Sequence, residues 1–252
     1  MKGALVTGAG LRIGRALALA LAADGFFVFV HYKDSAAGAR ETVATIKDAG
    51  GKAMAVRADL GSARQAEGLV GKCRARGVRL TCLVNSASLF KLDRAPTATA
   101  ADFDLHMAIN LRAPLLLAQA LARQLPAGET GLVVNVLDQK LYNLNPDFLT
   151  YTLSKIGLQG LTTLLAQSFA PRLRVAGIAP GLTLRSGSQT DARFAEQHAA
   201  NPLGVGVTVD DLVRALRFIV ATPSYTGDTI VVDSGEHLTG RPRDIAFDKK
   251  KK

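Results

Sequence analysis

The sequence predicts an α/β fold, a single doubly wound parallel sheet of about seven strands with helices on both faces. Short apolar runs alternate with helix-length amphipathic segments from end to end. No Pro/Ser-rich linker or change in composition divides the 252 residues. Apolar residues make up 48% and charged residues 21%, as in a soluble protein with a full core. We therefore expect one domain over residues 1–248 and a basic, disordered tail at 249–252.

The predicted strands are the short apolar runs, because strands covered by helices on both faces are apolar nearly throughout. In chain order they are Ala4–Thr7, Phe26–Tyr32, Ala53–Arg57, Cys82–Asn85, Leu132–Leu137, Val175–Ala179 and Thr229–Val232. Parallel neighbours in one sheet are joined by right-handed crossovers, which the helices between these runs supply.

The predicted helices are the amphipathic segments. In the first, after Gly10, apolar side chains recur at i, i+3, i+4, i+7 and i+8 and form one face: Ile13, Ala16, Leu17, Ala20 and Leu21. The others cover about Ala36–Ala49, Ser62–Arg76, Ala101–Leu125, Thr152–Phe169 and Asp210–Ala221. The segment 180–206 lacks clear periodicity and contains Gly, Ser, Asn and Pro, so it predicts a mobile loop.

Composition disfavours several classes of partner. Four of the +10 formal charges lie in the run 249–252, and the others are scattered without interleaved Trp, so we expect no nucleic-acid partner. The two cysteines form no CxxC and the four histidines show no metal-ligand spacing, which favours a reducing compartment and no metal. The apolar run Ala16–Val30 is broken by Asp24 and Gly25, so we expect no membrane span and a cytoplasmic protein.

The turn after the first strand reads TGAGLRIG, from Thr7 to Gly14. Gly8 and Gly10 allow a tight turn and close backbone approach, while Gly14 lets the following helix pack on the sheet. The N–H groups at the start of that helix favour a pyrophosphate. Its place between a strand and an amphipathic helix predicts a Rossmann-like dinucleotide-binding domain, although a glycine-rich turn without a ligand remains the alternative.

The second strand ends in FVHYKDS, and this end decides between NAD and NADP. Tyr32 occupies the position where an acidic residue would bind the ribose 2′-hydroxyl of NAD. Nearby side chains can instead bind a 2′-phosphate: His31, Lys33, Ser35 and, from the first turn, Arg12. Asp34 disfavours a phosphate. We expect NADP(H), with ordinary solvated turn residues as the alternative.

Two further stretches carry candidate chemistry. TYTLSK places Tyr151 and Lys155 at i and i+4, on one face of a helix. A nearby ammonium stabilises phenolate, so we expect it to lower the phenol pKa towards neutrality. The buried strand VVNVLDQ ends in Asp138, thirteen residues before the tyrosine. Asp138 is either a strand-end cap or a catalytic group, since α/β sheets build their sites at the carboxyl ends of strands.

Over nearly its whole length the chain resembles the short-chain dehydrogenase/reductase family. The matching motifs are TGAGLRIG, NSAS at Asn85–Ser88, Tyr151-x-x-x-Lys155 and APG at Ala179–Gly181. The resemblance implies a catalytic tetrad of Asn110, Asp138, Tyr151 and Lys155, with Asp138 where the usual member has Ser. It also implies that NADP(H) is bound by Gly8, Gly10, Arg12, Ile13, Gly14, His31, Tyr32, Lys33, Ser35, Asp59, Leu60, Asn85, Ser86, Ala87, Tyr151, Lys155, Pro180, Gly181 and Thr183.

The chain departs from the common family pattern at Asp138 and at NSAS, which stands in place of NNAG. In both features it resembles the pteridine reductases and bacterial dihydromonapterin reductases. In that branch an aromatic side chain stacks on the pterin, and Phe90 in NSASLF matches it. The resemblance implies a substrate site formed by Arg12, Ser88, Phe90, Asp138 and Tyr151. It implies that Lys155 binds the nicotinamide ribose and that Thr183 contacts the carboxamide.

The sequence therefore predicts an NADPH-dependent reductase that transfers hydride to a C=N bond of a pteridine. The small-molecule substrate would be a pterin, because a carboxyl can accept from its amine or, when protonated, donate to its ring nitrogens. The segment 180–206 would be the substrate loop. One alternative is a carbonyl or 3-oxoacyl reductase, and another is a cofactor-binding regulatory protein without turnover. The resemblance also implies a homotetramer built on the fourth and fifth long helices.

Overall fold

Seven strands lie parallel in one sheet in the computed structural model, which describes residues 1–74, 77–185 and 189–247. The strand order is β3-β2-β1-β4-β5-β6-β7. The strands are β1 Lys2–Val6, β2 Phe27–Tyr32, β3 Lys52–Arg57, β4 Arg79–Asn85, β5 Gly131–Val136, β6 Leu173–Pro180 and β7 Thr229–Val232. The predicted doubly wound parallel sheet is confirmed.

Helices cover both faces of this sheet. They are α1 Arg12–Ala23, α2 Ala36–Asp48, α3 Ala63–Arg74, α4 Ala100–Met107, α5 Ala113–Gln124, α6 Leu149–Phe169, α7 Asp191–His198 and α8 Val209–Ala221. Three short 3₁₀ turns follow β5 and β7, at Gln139–Tyr142, Glu236–Thr239 and Ile245–Phe247. The helices on the two faces bury two separate apolar layers.

One layer lies between the sheet and α1, α2 and α8, with Leu17 and Leu216 fully buried in it. The other lies under α3, α5 and α6, with Leu69 and Leu117 fully buried. Alternate residues of each strand supply the two layers, because successive side chains point to opposite faces. Each such leucine contributes about 1.5–3 kcal/mol by leaving water. The sheet is therefore a rigid support for the loops at its edge.

The direction of winding reverses between β1 and β4, which pair although two strands separate them in sequence. In doubly wound sheets ligands bind in the crevice that opens at this reversal, outside the carboxyl ends of the strands. The segments that carry the glycine turn after Val6 and the NSAS turn after β4 both begin there. The fold thus brings together motifs about 80 residues apart.

The structure corrects two element predictions. The helix expected over Ala101–Leu125 contains a π-helical turn at Ala108–Arg112, between α4 and α5. The segment 180–206 is not irregular throughout, because α7 lies within it, capped by Thr190. Periodicity missed α7 because its eight residues include one large apolar side chain. Residues 186–188, the predicted helix end at 75–76 and the tail 249–252 lie outside the described residues.

The stretch Ala100–Gln124 is long and apolar enough to cross a membrane by composition alone, with a mean hydropathy of 1.2 over its most apolar part. More than half of that part is buried inside the fold, and the stretch packs against α3 and α6. We therefore interpret it as a core helix of a soluble domain.

Candidate active site

The glycine turn between β1 and α1 is shaped by two close backbone approaches. Gly8 adopts a positive φ of 65°, which side-chain-bearing residues rarely do. A Cβ on Gly14 would lie 2.4 Å from the carbonyl oxygen of Gly8. No side chain of the described residues caps the start of α1, and its first turn holds no acidic residue. Its N–H groups therefore remain for an anion, which fits the pyrophosphate of a dinucleotide.

Thr7 joins the two turns that face the crevice. Its hydroxyl oxygen accepts from the N–H groups of Ser86 and Ala87, each at 3.0 Å. Thr7 was not among the predicted site residues, although its position directly before the glycine run was a usable signal. Ser86 and Ala87, expected to touch the cofactor, are thus fixed relative to the glycine turn.

His31 differs from its expected role. The Nδ1 atom accepts the Gly8 N–H at 3.1 Å, so the ring proton is on Nε2, which lies 3.1 Å from the carbonyl oxygen of Ala58. Burial lowers the pKa of His31 to about 4, so the ring is neutral near pH 7. A buried neutral ring with both nitrogens bonded does not bind a 2′-phosphate. His31 instead supports the glycine turn.

The other residues expected at the 2′-phosphate lie in different surroundings. Lys33 pairs with Asp59 at 3.1 Å, and Ser35 is exposed at the start of α2. Arg12, at a positive φ of 56°, donates to the carbonyl oxygens of Leu184 at 3.3 Å and Arg185 at 2.5 Å. Arg12 therefore connects the glycine turn with the predicted substrate loop.

Four further residues expected at the cofactor belong to the packed core beneath the crevice. Ile13 and Tyr32 are half-buried in the layer under α1, and Leu60 is buried in the opposite layer. The Asn85 amide donates to the Asn135 side chain at 2.8 Å, in a fully buried pair between β4 and β5. These residues shape the crevice from below.

The hydrogen bonds of Asp138 are compatible with both of its interpretations, a strand-end cap and a catalytic group. Its Oδ1 accepts the backbone N–H of Lys140 at 2.9 Å and so caps the turn after β5. Its Oδ2 accepts the Tyr151 hydroxyl hydrogen at 2.6 Å. The carboxylate that ends the strand therefore holds the phenol at the start of α6.

Lys155 lies one helical turn after Tyr151, as the spacing predicts. Its Nζ donates to the carbonyl oxygen of Val136 at 2.7 Å and lies 5.7 Å from the centre of the Tyr151 ring. Of the three ionisable side chains of this centre, Tyr151 and Lys155 are buried and Asp138 is half-buried. Their charges are therefore poorly screened by water.

The ionisation of this centre departs from the expected lowering of the phenol pKa. Burial, followed by the charge of Asp138, raises the pKa of Tyr151 well above its usual value. Burial also raises the pKa of Asp138, against the opposing hydrogen bond from Tyr151. Burial lowers the pKa of Lys155 to about 8. Tyr151 is thus held as a protonated phenol, the state that a proton donor requires.

Asn110 lies in the π-helical turn and is almost fully buried. Its side-chain oxygen accepts the Leu89 N–H at 2.8 Å, and its amide donates to the Leu89 carbonyl at 3.0 Å and to Ser154 at 2.9 Å. The expected substrate residue Ser88 also contacts it, at 3.3 Å. Such turns are frequent at functional sites, and this one fixes the backbone beside Phe90.

An aromatic cluster forms one wall of the site. Phe90 is about half exposed, stacks on Phe148 with ring centres 4.2 Å apart, and meets Tyr151 edge-on at 4.7 Å. Phe148 caps α6 with a positive φ of 58°, a strained conformation for an aromatic residue. Sequence reasoning missed Phe148, although its place three residues before Tyr151 was a usable signal.

The chain after β6 forms another wall, where Thr183 is buried and donates to the Gly181 carbonyl at 2.9 Å. The carboxyl of Glu236 accepts the Leu182 N–H at 3.3 Å, and burial raises its pKa to about 7. A Cβ on Gly181 would lie 3.2 Å from this carboxyl, so the turn and Glu236 touch. Nothing in the local sequence marked Glu236.

The C-terminal segment is anchored beside Asp138. Buried Lys140 pairs with Asp244 at 3.0 Å. Fully buried Asp147 pairs with Arg94 and Arg243, each at 2.7 Å, and the hydrogen bond from Arg243 lowers its pKa. The contacts of Arg243 and Asp244 join residues about 100 positions apart, which no sequence pattern indicated. Through these contacts, the C-terminal segment forms part of the surroundings of the site.

Residues 2–197 match the model of the family described as short chain dehydrogenase, well over half of the chain. The chain belongs to the short-chain dehydrogenase/reductase family. It is therefore an oxidoreductase, as the motifs predict.

Family members with similar structures and sequences differ in substrate. FolM alternative dihydrofolate reductase 1 from Brucella suis, in complex with NADP, is 40% identical, with a TM-score of 0.90 over 94% of this chain and 95% of that chain. A short chain dehydrogenase from Burkholderia cenocepacia J2315, also with NADP, is 32% identical, with a TM-score of 0.86 over 93% and 97%. A 3-oxoacyl-[acyl-carrier-protein] reductase from Synechocystis sp. is 30% identical over 92% of this chain and 95% of its own length.

The buried His31 makes folding sensitive to acid. The unfolded chain binds a proton there near pH 6.5 and the folded chain near pH 4, so stability is lost as pH falls between these values. The loss at His31 amounts to about 3 kcal/mol. His31→Asn keeps an acceptor for Gly8 without titrating. Urea unfolding at pH 7 and pH 4 checks this: the wild-type free energy of unfolding should fall further than that of the variant, and equal falls would contradict it.

The lowered pKa of Lys155 predicts that activity declines at alkaline pH. Because its pKa lies at about 8, its charge is lost as pH rises through that value, and with it the stabilisation of the phenolate that proton donation leaves. We expect kcat/KM for NADPH, which reports the free enzyme, to decline above about pH 8. Lys155→Arg keeps the charge and should move this decline to higher pH. An unchanged profile in the variant would assign the decline to another group.

Proposed function

We propose that this enzyme reduces a dihydropteridine to its tetrahydro form. The observation that carries the proposal is the 2.6 Å hydrogen bond from Tyr151 to Asp138, beside the exposed side of Phe90. A carboxylate on the catalytic phenol, together with a flat apolar wall, suits a planar heterocycle with ring nitrogens. The proposal extends to Asp138 as a catalytic and substrate-orienting group.

NADP is the cofactor, and in its reduced form it supplies the hydride. The uncapped start of α1 would hold its pyrophosphate, and the turns at Ser86–Ala87 and Gly181–Thr183 line the rest of the crevice. Lys155 would bind the ribose next to the nicotinamide. Of the residues expected at the 2′-phosphate, His31 is excluded by its neutral, fully bonded ring.

Tyr151 and Asp138 are the proposed proton donors of the reaction. Reduction of a C=N bond needs one proton at the nitrogen, and Tyr151 keeps its proton because its pKa is raised. Burial raises the pKa of Asp138, and in its protonated form this carboxyl can donate to a ring nitrogen directly. Either group can supply the proton: Tyr151 by turning its hydroxyl hydrogen from Asp138 to the substrate nitrogen, which leaves a phenolate beside Lys155, or Asp138 in its protonated form.

Phe90 would form one wall of a flat slot, as the stacking residue of a pterin. Its ring is held on two sides, by Phe148 below and by the edge of Tyr151. Asn110 fixes its backbone through Leu89. A ring held in this way loses little conformational entropy when a planar substrate stacks on it.

The substrate class fits the relative described as an alternative dihydrofolate reductase, because dihydrofolate carries a pteridine ring. A carbonyl or 3-oxoacyl reductase is the second candidate, favoured by the Synechocystis relative. A ketone gains little from a carboxylate partner, so the presence of Asp138 supports the pteridine as the proposed substrate. We also propose that the protein is cytoplasmic and forms a homotetramer. The exposed apolar side chains of α6 support contact between subunits, and they are Leu153, Ile156 and Leu164.

A substrate panel tests the proposed function. NADPH oxidation is followed with dihydromonapterin, dihydrobiopterin, dihydrofolate and an activated ketone, with Tyr151→Phe as the inactive control. We expect turnover of at least one dihydropteridine and little of the ketone, because only the former matches Asp138 and Phe90. Turnover of the ketone alone would overturn the proposal. Cofactor binding without oxidation on any substrate would instead favour a non-catalytic protein.

Replacing Asp138 separates the two substrate classes. Asp138→Ser recreates the usual family residue and removes the carboxyl, so turnover of the dihydropteridine should fall by about 10²–10⁴, the range for a lost general acid. Ketone turnover should be retained or rise. Asp138→Asn is the matched control, because its oxygen can still cap the turn at Lys140 while it cannot supply a proton. Unchanged pteridine turnover in both variants would reduce Asp138 to a cap.

A further inference from the structure

A basic cleft opens at the carboxyl ends of β2 and β3, away from the catalytic centre. It has a volume of about 440 Å³ and is lined by Lys33, Arg57, Asp59, Gln65 and Lys72. Three cations and one carboxylate give the cleft a net charge of +2. A cleft with this excess attracts an anion.

Arg57 has the cation of this cleft that is best placed for a ligand. Lys33 is paired with Asp59 at 3.1 Å, and the Lys72 ammonium donates to the Arg57 carbonyl at 3.2 Å. The Arg57 side chain is exposed and uses Nε to donate to the Lys33 carbonyl at 3.2 Å. Among the described residues it forms no ion pair with a carboxylate. Its two terminal nitrogens are therefore left to face the cleft and solvent.

The strand register places Arg57 beside the position that selects the cofactor. Arg57 on β3 pairs directly with Tyr32 on β2, where an acidic residue would hold the 2′-hydroxyl of NAD. The Nε bond then keeps the guanidinium against the backbone of the turn after β2. This is the end of the strand at which a 2′-phosphate must be recognised.

The side chains predicted to bind the 2′-phosphate offer little free positive charge, since Lys33 is paired with Asp59. His31 is neutral and buried, and Arg12 is bonded to the carbonyls of Leu184 and Arg185. Asp34 adds an exposed carboxylate to the same turn. A chain that uses NADP therefore needs a positive charge from a neighbouring element. Strand β3 at the sheet edge is the neighbour of β2.

We propose that Arg57 binds the 2′-phosphate of NADP(H) and sets the preference for NADP over NAD. Arginine suits this role because its planar fork binds phosphate oxygens in pairs. Lys33 also lines the cleft and supplies a second charge, which it shares with Asp59. This inference does not depend on which substrate the enzyme reduces.

Binding of adenosine 2′,5′-bisphosphate and of AMP to the whole chain tests the proposal, because the two nucleotides differ only in the 2′-phosphate. Isothermal titration calorimetry measures the dissociation constants of both nucleotides for the wild type, Arg57→Gln and Arg123→Gln. The last variant removes the same charge from an exposed site on α5. We expect Arg57→Gln to weaken bisphosphate binding by about tenfold to a hundredfold, as for a lost charged hydrogen bond.

AMP binding by Arg57→Gln should stay within about twofold of wild type, and Arg123→Gln should bind both nucleotides as wild type does. An equal loss for both nucleotides in Arg57→Gln would mean that Arg57 supports the adenosine pocket and not the phosphate. No loss for either would overturn the proposal. No pteridine is needed, so failure here is distinct from failure of the proposed substrate.

Discussion

The carboxylate of Asp138 makes two hydrogen bonds, and the geometry of the proposed catalytic centre depends on them. One oxygen holds the turn that follows β5, and the other holds the phenol of Tyr151. A strand end and a helix start, which share no backbone hydrogen bond here, are thereby fixed relative to each other. Lys155 can then reach the last carbonyl of β5, because α6 is set at the right depth and rotation. Without the carboxylate, the phenol would lose its acceptor in a buried place, which is costly.

Burying this carboxylate requires charge balance from elements far apart in the chain. Lys155 of α6 provides a nearby cation, whereas Asp244 adds a nearby negative charge that is itself paired with Lys140 of the turn. Unpaired charges in such surroundings cost several kcal/mol, so each member restricts the positions of the others. Asp147 repeats the arrangement at the rim, where two arginines hold one buried carboxylate. The C-terminal segment is thereby part of the electrostatic design of the site.

The sheet, the glycine turn and the Tyr151–Lys155 pair could be predicted because local patterns encode them: apolar runs, glycine spacing and helical spacing. The contribution of His31 could not, since a histidine near a strand end has the same sequence signal whether it is exposed and cationic or buried and neutral. The π turn at Asn110 leaves the apolar periodicity of its helix nearly unchanged, so it was read as one helix. Glu236 and Asp244 reach the site only through the crossover that places β7 beside β6. Long-range contacts of this kind leave no trace in neighbouring residues.

The parts of the site are divided along the chain in a way that bears on how such proteins diversify. The part of the crevice proposed for the adenosine and the pyrophosphate is built before Asn110, and the proposed proton donors lie between Asp138 and Lys155. The walls around the space proposed for the substrate come from the segment after β6 and from the residues after β7, such as Glu236 and Asp244. We expect exchange of those late segments to alter which substrate is accepted while the Tyr151–Lys155 pair stays in place. One scaffold could in this way acquire new substrates by changes confined to its last third.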